Sequence, residues 1–259
     1  MPSLYPDVRK FNRLIIEATA DLVHCYKPNI AFYSGAFRSE AQEVLAHTID
    51  DIRDIAPSVP IILDFKRADI GNTNVGYVAE AFEAFGADAA TINPYFGMEA
   101  MKPFLDQKDK GIIVLCRTSN PGAGEFQDVT LVATDPPNRS MQMYEYVAHR
   151  VASRWNYNGN CALVVGATAP EELRRVRDIV GDMTILIPGY GKQGGDLAAS
   201  VLNGVNSKKS GIIINESSSV IFAANGVNFQ DASRARVVDT TQKMNEILFT
   251  SDSFVDITA

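Results

Sequence analysis

The chain alternates between short apolar runs and longer amphipathic stretches. LVHCYKPNIAFY (22–33), VPIILDFK (59–66), ADAATIN (87–93), GIIVLCRTS (111–119), CALVVGAT (161–168), MTILIPG (183–189) and GIIINESS (211–218) are mostly β-branched and nearly continuous in apolar residues. Parallel strands covered on both faces read this way, because neither side has to be polar. Between the runs the period becomes helical. In NVGYVAEAFEAFG (74–86), Val75, Val78, Ala79, Phe82 and Phe85 recur at helix spacing before Gly86. SMQMYEYVAHRVASRWN (140–156) is amphipathic, and APEELRRVRDIV (169–180) opens with Pro170 and two glutamates, as a helix start should. ASRARVVDTTQKMNEILF (232–249) is expected to be the last long helix. A first helix is expected in SLYPDVRKFNRLIIEATADL, with Leu14, Ile15 and Ala18 on one face.

Strand and helix alternate throughout, with no linker, repeat or low-complexity tract. Such alternation fits a doubly wound sheet or a (β/α)8 barrel. The polar residues favour the barrel. Lys27, Asp64, Asn93, Arg117 to Ser119, Gly166 to Thr168, Gly189 to Gly191 and Asn215 to Ser218 all fall at or just past strand C-terminal ends. A barrel gathers functional groups from many strand ends on one face, whereas a dinucleotide-binding sheet would carry a glycine-rich turn after its first strand. A single (β/α) barrel domain over residues 1–259 is therefore expected. Seven runs leave the barrel one strand short. FVDIT (254–258), after the last helix, is the candidate eighth strand, laid between the first and last of the others in a circularly permuted closure.

Composition narrows the function. A chain of 259 residues with 46% hydrophobic and 21% charged residues can bury a large core. A net charge of −7 argues against a broad nucleic-acid surface, while leaving room for a small positive pocket. Cys25, Cys116 and Cys161 have no disulfide or metal spacing. Residues 1–20 lack a signal-peptide core, and no run of apolar residues is long enough to span a membrane. A cytoplasmic protein is expected.

The chemistry is concentrated in ILDFKRADIGNT (62–73), where an apolar strand ends in Asp64, Lys66, Arg67 and Asp69. Asp64 and Lys66 are two apart, so a strand turns both to one face. With Lys27 they can form a lysine–carboxylate array, which is either a structural ion-pair network or a device that keeps a lysine charged in a pocket. A lysine held in that way can protonate a developing carbanion.

LDFKRADIGNT also resembles the Asp-x-Lys-x-x-Asp-Ile-x-x-Thr signature of the orotidine 5'-phosphate decarboxylase family. YKPNIAFY (26–33), TINPYFG (91–97), LCRTSNPGAGEFQD (115–128), LVVGAT (163–168), IPGYGKQGG (187–195) and INESSSVIFA (214–223) follow in the order of its bacterial-type, type 2 branch. The resemblance implies a barrel, a homodimer with shared sites, and decarboxylation of orotidine 5'-phosphate to UMP without metal or organic cofactor. Lys27, Asp64, Lys66 and Asp69 would be catalytic. Lys66 would protonate C6 of the pyrimidine, Asp64 would lie beside the departing carboxylate, and Lys27 would orient Asp64 and contact the ribose. Asp69 would hold Lys66 and reach, with Thr73, into the partner's site. Asn93, Ser119, Gln193, Ser217 and Ser218 would bind substrate, Ser119 at the pyrimidine and Gln193 toward the phosphate.

Two departures stand out. The family's first strand, with its Gly-Leu-Asp-Pro, has no counterpart ahead of Lys27, which makes Asp256 of FVDIT a candidate substitute for the ribose-binding aspartate. The family's phosphate-gripping arginine is replaced by Ser218, a loss of a few kcal/mol of charge-assisted contact, with Glu216 adding negative charge if it faces the pocket. Lys192 is a candidate for partial compensation. The alternatives are a related barrel enzyme acting on another phosphate substrate, and a non-catalytic dimeric homologue.

Overall fold

The computed structural model describes residues 5–190, 194–226 and 228–250. Its centre is a parallel sheet of β1 (Ile62–Arg67), β2 (Ala89–Ile92), β3 (Gly111–Arg117), β6 (Cys161–Val165), β7 (Ile185–Pro188) and β8 (Ile212–Asn215), hydrogen-bonded in that order. The intervening β4 (Thr130–Thr134) and β5 (Pro137–Gln142) form a separate antiparallel hairpin. Apart from that hairpin, each crossover carries a helix, so the sheet is most of a (β/α)8 barrel.

The helices are α1 (Tyr5–Thr19), α2 (Ile30–Phe37), α3 (Ala41–Ile55), α4 (Gly71–Val78), α5 (Gly97–Leu105), α6 (Gly124–Gln127), α7 (Met143–Arg150), α8 (Pro170–Val180), α9 (Leu197–Gly204), α10 (Ser218–Ile221) and α11 (Phe229–Thr250). Two sequence expectations need correction. Ser140 to Gln142 pair as the end of β5 rather than opening a helix, and α7 starts at Met143 behind a reciprocal Gln142–Glu145 capping box. The run 22–33 is not a full strand. Only Tyr26 and Asn29 form bridges, opposite Ile61 just ahead of β1 and Asp64 within it, and the chain turns helical at Ile30. Pro28 has no N–H to give a ladder, and Asn29 caps α2 by accepting from the Ala31 N–H at 3.0 Å.

The sheet's strands have two buried faces, as their continuous apolar runs require. Leu63, Ile112, Leu163 and Ile185 join the layer under the helices. Their neighbours Ile62, Ile113, Ala162 and Leu186 plug the inside, with Cys25, Leu115 and Ile213 against them.

Between β8 and residues 26–29 no described segment pairs with either edge. Outside this gap α1 and α11 pack together, with Phe11 and Phe229 stacked at 4.9 Å and the Arg234 guanidinium donating to the Ala18 carbonyl at 2.9 Å. Beneath them lies a cavity of ≈ 410 Å³, lined largely by apolar side chains such as Ile15, Ile16, Val23, Ile213, Val237 and Met244. FVDIT lies outside the described residues, as do Asp256, Lys192 and Gln193.

Candidate active site

The inner apolar plug determines where the charges can stand. Ile62 is the inner residue of β1, so Asp64 is the next inner position toward the strand's C-terminal end. Cys25 and Ala89 mark the same level in the neighbouring segments, which puts Lys27 and Thr91 beside Asp64. The Lys27 ammonium donates to Asp64 Oδ2 at 2.5 Å. Lys66 pairs with Oδ1 of the same carboxylate. The Thr91 hydroxyl donates to Oδ1 at 3.1 Å, while accepting from the backbone N–H groups of Phe65 and Lys66 at 3.1 Å each. Asn29 Nδ2 reaches Oδ2 at 3.5 Å.

Asp64 is buried. Burial works to raise its pKa, but the charges and hydrogen bonds of Lys27 and Lys66 outweigh it and hold the carboxyl below its ordinary 3.8. Its two partners differ. The Lys27 side chain is 10% exposed and that of Lys66 45%, so one is built into the wall and the other faces the open end of the barrel.

The Lys66 backbone has a φ of +49°, and the β1–β2 ladder slips between Leu63 and Arg67. A non-glycine residue there carries roughly 1–3 kcal/mol of strain, and such strain persists where surrounding contacts fix it. Here the fixing contacts are the Thr91 hydroxyl on the Lys66 N–H and Asp64 on its ammonium.

The other expected residues lie around this centre. The Asp69 carboxylate accepts from the Ile70 N–H at 2.6 Å. Among the described residues it pairs with no lysine of its own chain. Thr73 is exposed in the first turn of α4. The Asn93 side chain caps the turn after β2, accepting from the Tyr95 N–H at 3.1 Å. Ser119 follows β3 and lies against Gly166, where an added Cβ would stand 2.8 Å from the serine Cβ. Ser217 and Ser218 form the start of α10 past β8. Glu216 turns away to α11. Its carboxylate accepts from Arg236 at 2.8 and 3.2 Å and from Thr240 at 3.0 Å, so its charge is compensated on the helix side.

Sequence reasoning missed Thr91 and Asn29. Both were inside quoted motifs, and both were findable by two-residue strand spacing, Asn29 from Lys27 and Thr91 from Asn93. It also missed the Glu216–Arg236 pair, which joins positions twenty residues apart and leaves no local signal.

Residues 5–228 match the model of the family described as "Orotidine 5'-phosphate decarboxylase / HUMPS family". The chain is 44% identical over 241 residues to orotidine 5'-phosphate decarboxylase of Aromatoleum aromaticum, covering 93% of this chain and 86% of that one. It is 45% identical over 236 residues to the enzyme of the same name from Ralstonia pickettii, covering 91% and 83%. Among solved structures, Leishmania donovani OMP decarboxylase superposes with a TM-score of 0.83 at 34% identity, over 95% of this chain and 89% of that one.

Proposed function

The chain belongs to the orotidine 5'-phosphate decarboxylase / HUMPS family, and on that premise we propose that it is a carboxy-lyase converting orotidine 5'-phosphate to UMP in pyrimidine synthesis. The observation that carries this reading is one buried carboxylate, Asp64, held between Lys27 and Lys66 at the strand ends. Relatives of the same name across most of the chain do not favour another phosphate substrate or a non-catalytic homologue.

The C6–carboxylate bond of the substrate breaks, carbon dioxide leaves, and the bonding pair remains on C6. The Lys66 ammonium stabilises that charge and gives C6 its proton. Lys66 then regains a proton from water, for which its exposure suits it. Asp64 keeps Lys66 cationic and aimed before the charge develops, so little reorganisation is needed in the transition state. Lys27, nearly buried, fixes Asp64 from the other side and contacts the ribose. Ser119 takes the pyrimidine, Gln193 bridges toward the phosphate, Ser218 stands where the family's phosphate-gripping arginine would be, and Asn93 and Ser217 also bind substrate. Phosphate binding remote from C6 supplies energy to close the site.

The working unit is a cytoplasmic homodimer of single-barrel chains, in which Asp69 and Thr73 complete the partner's site. Supporting this, Asp69 has no lysine partner among the described residues of its own chain. Exposed apolar side chains, Phe32, Ile70, Val75, Tyr95 and Phe96, also surround that end of the barrel. No helix among the described residues is long and apolar enough to cross a membrane.

Closing the gap between β8 and residues 26–29 takes an eighth strand, and the expected one, 254–258, lies outside the described residues.

The direct test is incubation with orotidine 5'-phosphate while following loss of orotate absorbance, with Lys66→Ala as control. Turnover abolished by that substitution is expected; an inactive parent protein would overturn the assignment.

A further inference from the structure

The motif Arg117–Asp128 contributes only Ser119 to the chemistry above, yet its other polar residues form a closed set of contacts behind that serine. Arg117 ends β3. Its guanidinium donates through Nε and Nη2 to the two oxygens of Asp128 at 2.8 and 3.0 Å, and through Nη1 to the Thr118 carbonyl at 2.7 Å. Gln127 accepts from the Thr118 N–H at 2.8 Å and donates to the Thr118 hydroxyl at 2.9 Å. That hydroxyl donates onward to Asn120 Oδ1 at 2.6 Å. Residues on both sides of Ser119 are therefore tied to one support.

The opposite wall is glycine. The Gly166 N–H donates to the Arg117 carbonyl at 2.8 Å, and a Cβ at 166 would come within 2.9 Å of the Ser119 backbone. A Cβ at Gly124 would stand 2.7 Å from the Asp128 carboxylate. The β3–β6 ladder slips between Leu115 and Arg117, the kind of irregularity that re-aims side chains at a strand end. These contacts brace a loop on the open face rather than joining core elements, and Phe126 between them is exposed.

We propose that Asp128 and Gln127 are positioning residues for base recognition, holding Arg117 and Thr118 so that Ser119 meets the pyrimidine. Neither touches substrate. The ion pair is bidentate and its arginine is only 13% exposed, so it fixes direction as well as distance. The inference rests on the reading of Ser119 as the base contact.

The test compares binding of UMP, which carries the base, with ribose 5-phosphate, which lacks it, each as a competitor of turnover. Asp128→Asn and Gln127→Met should each raise the dissociation constant of UMP by up to about tenfold, the scale of one lost hydrogen bond. Each should leave that of ribose 5-phosphate near the parent value. In a Ser119→Ala background the same substitutions should have no further effect on UMP. Equal weakening of both ligands, or effects that multiply with Ser119→Ala, would overturn the proposal in favour of a general structural role. Gln127→Met keeps the test open if Asp128→Asn fails to fold. If Ser119→Ala weakens UMP while Asp128→Asn and Gln127→Met bind it normally, the clamp alone is wrong. If Ser119→Ala leaves UMP binding unchanged, the base contact is wrong and the clamp falls with it.

Discussion

Lys27 donates to Asp64 at 2.5 Å across the junction between an irregular chain segment and β1, and both side chains are at most 10% exposed. Neither charge is tolerable there alone. Removing the carboxylate with Asp64→Ala strands a nearly buried ammonium, which should cost about 3–5 kcal/mol of stability. Removing both with Lys27→Ala/Asp64→Ala should cost less than the sum of the single changes. Denaturant unfolding of the three variants measures this, and strict additivity would show that the pair is not coupled.

Lys66→Ala should behave differently. Its side chain is 45% exposed, so the melting temperature should stay close to that of the parent. Turnover should fall by at least ~10²–10⁴-fold, the range for losing a positioned proton donor. Steady-state rates on orotidine 5'-phosphate check this. A variant that turns over normally would remove Lys66 from the chemistry.

The depressed Asp64 pKa has a definite sign in the stability curve. A carboxyl whose folded pKa lies below its ordinary 3.8 adds stability that is present above that value. The contribution is lost as pH falls through the lower folded value. The melting temperature of the parent should therefore drop more steeply than that of Asp64→Asn as pH is taken below about 4. Parallel curves would mean that the lysines do not hold Asp64 ionised.

The proposed sharing of sites between two chains predicts complementation. Lys66→Ala and Asp69→Ala proteins should each be nearly inactive, and mixing them with demonstrated subunit exchange should restore part of the activity, because a hybrid dimer contains one complete site. Continued inactivity after exchange would place Asp69 in its own chain's site.

Ser218 is the departure most open to repair. Ser218→Arg should tighten UMP about tenfold or more by adding a charge-assisted phosphate contact, with little change for uridine. Glu216 should not oppose this, because its carboxylate is already bound by Arg236 and Thr240. Equal gains for UMP and uridine would count against a phosphate-side role for position 218.

The order of strands and helices, and the charge cluster in β1, were legible in the chain because they depend on local period. Continuous β-branched runs read directly as strands buried on both faces, and Pro170 with two glutamates marked the start of α8. The local reading failed at Ser140 to Gln142. Their pairing is with Thr130 to Val132, which sequence spacing could not reveal. It also read residues 22–33 as a strand, where Pro28 and the Asn29 cap allow only two bridges.

By itself, the sequence determined which residues could carry charge at strand ends, and that Asp64 and Lys66 share a face. Tertiary structure decided which charges meet. It joined Lys27 to Asp64 over 37 positions and Arg236 to Glu216 over 20, put the Thr91 hydroxyl under the Lys66 backbone, and left Asp69 on its own loop. Spacing along a chain fixes direction from the backbone, but an ion pair needs two backbones brought together. That approach is set by how apolar layers such as Ile62, Ile113 and Leu186 pack.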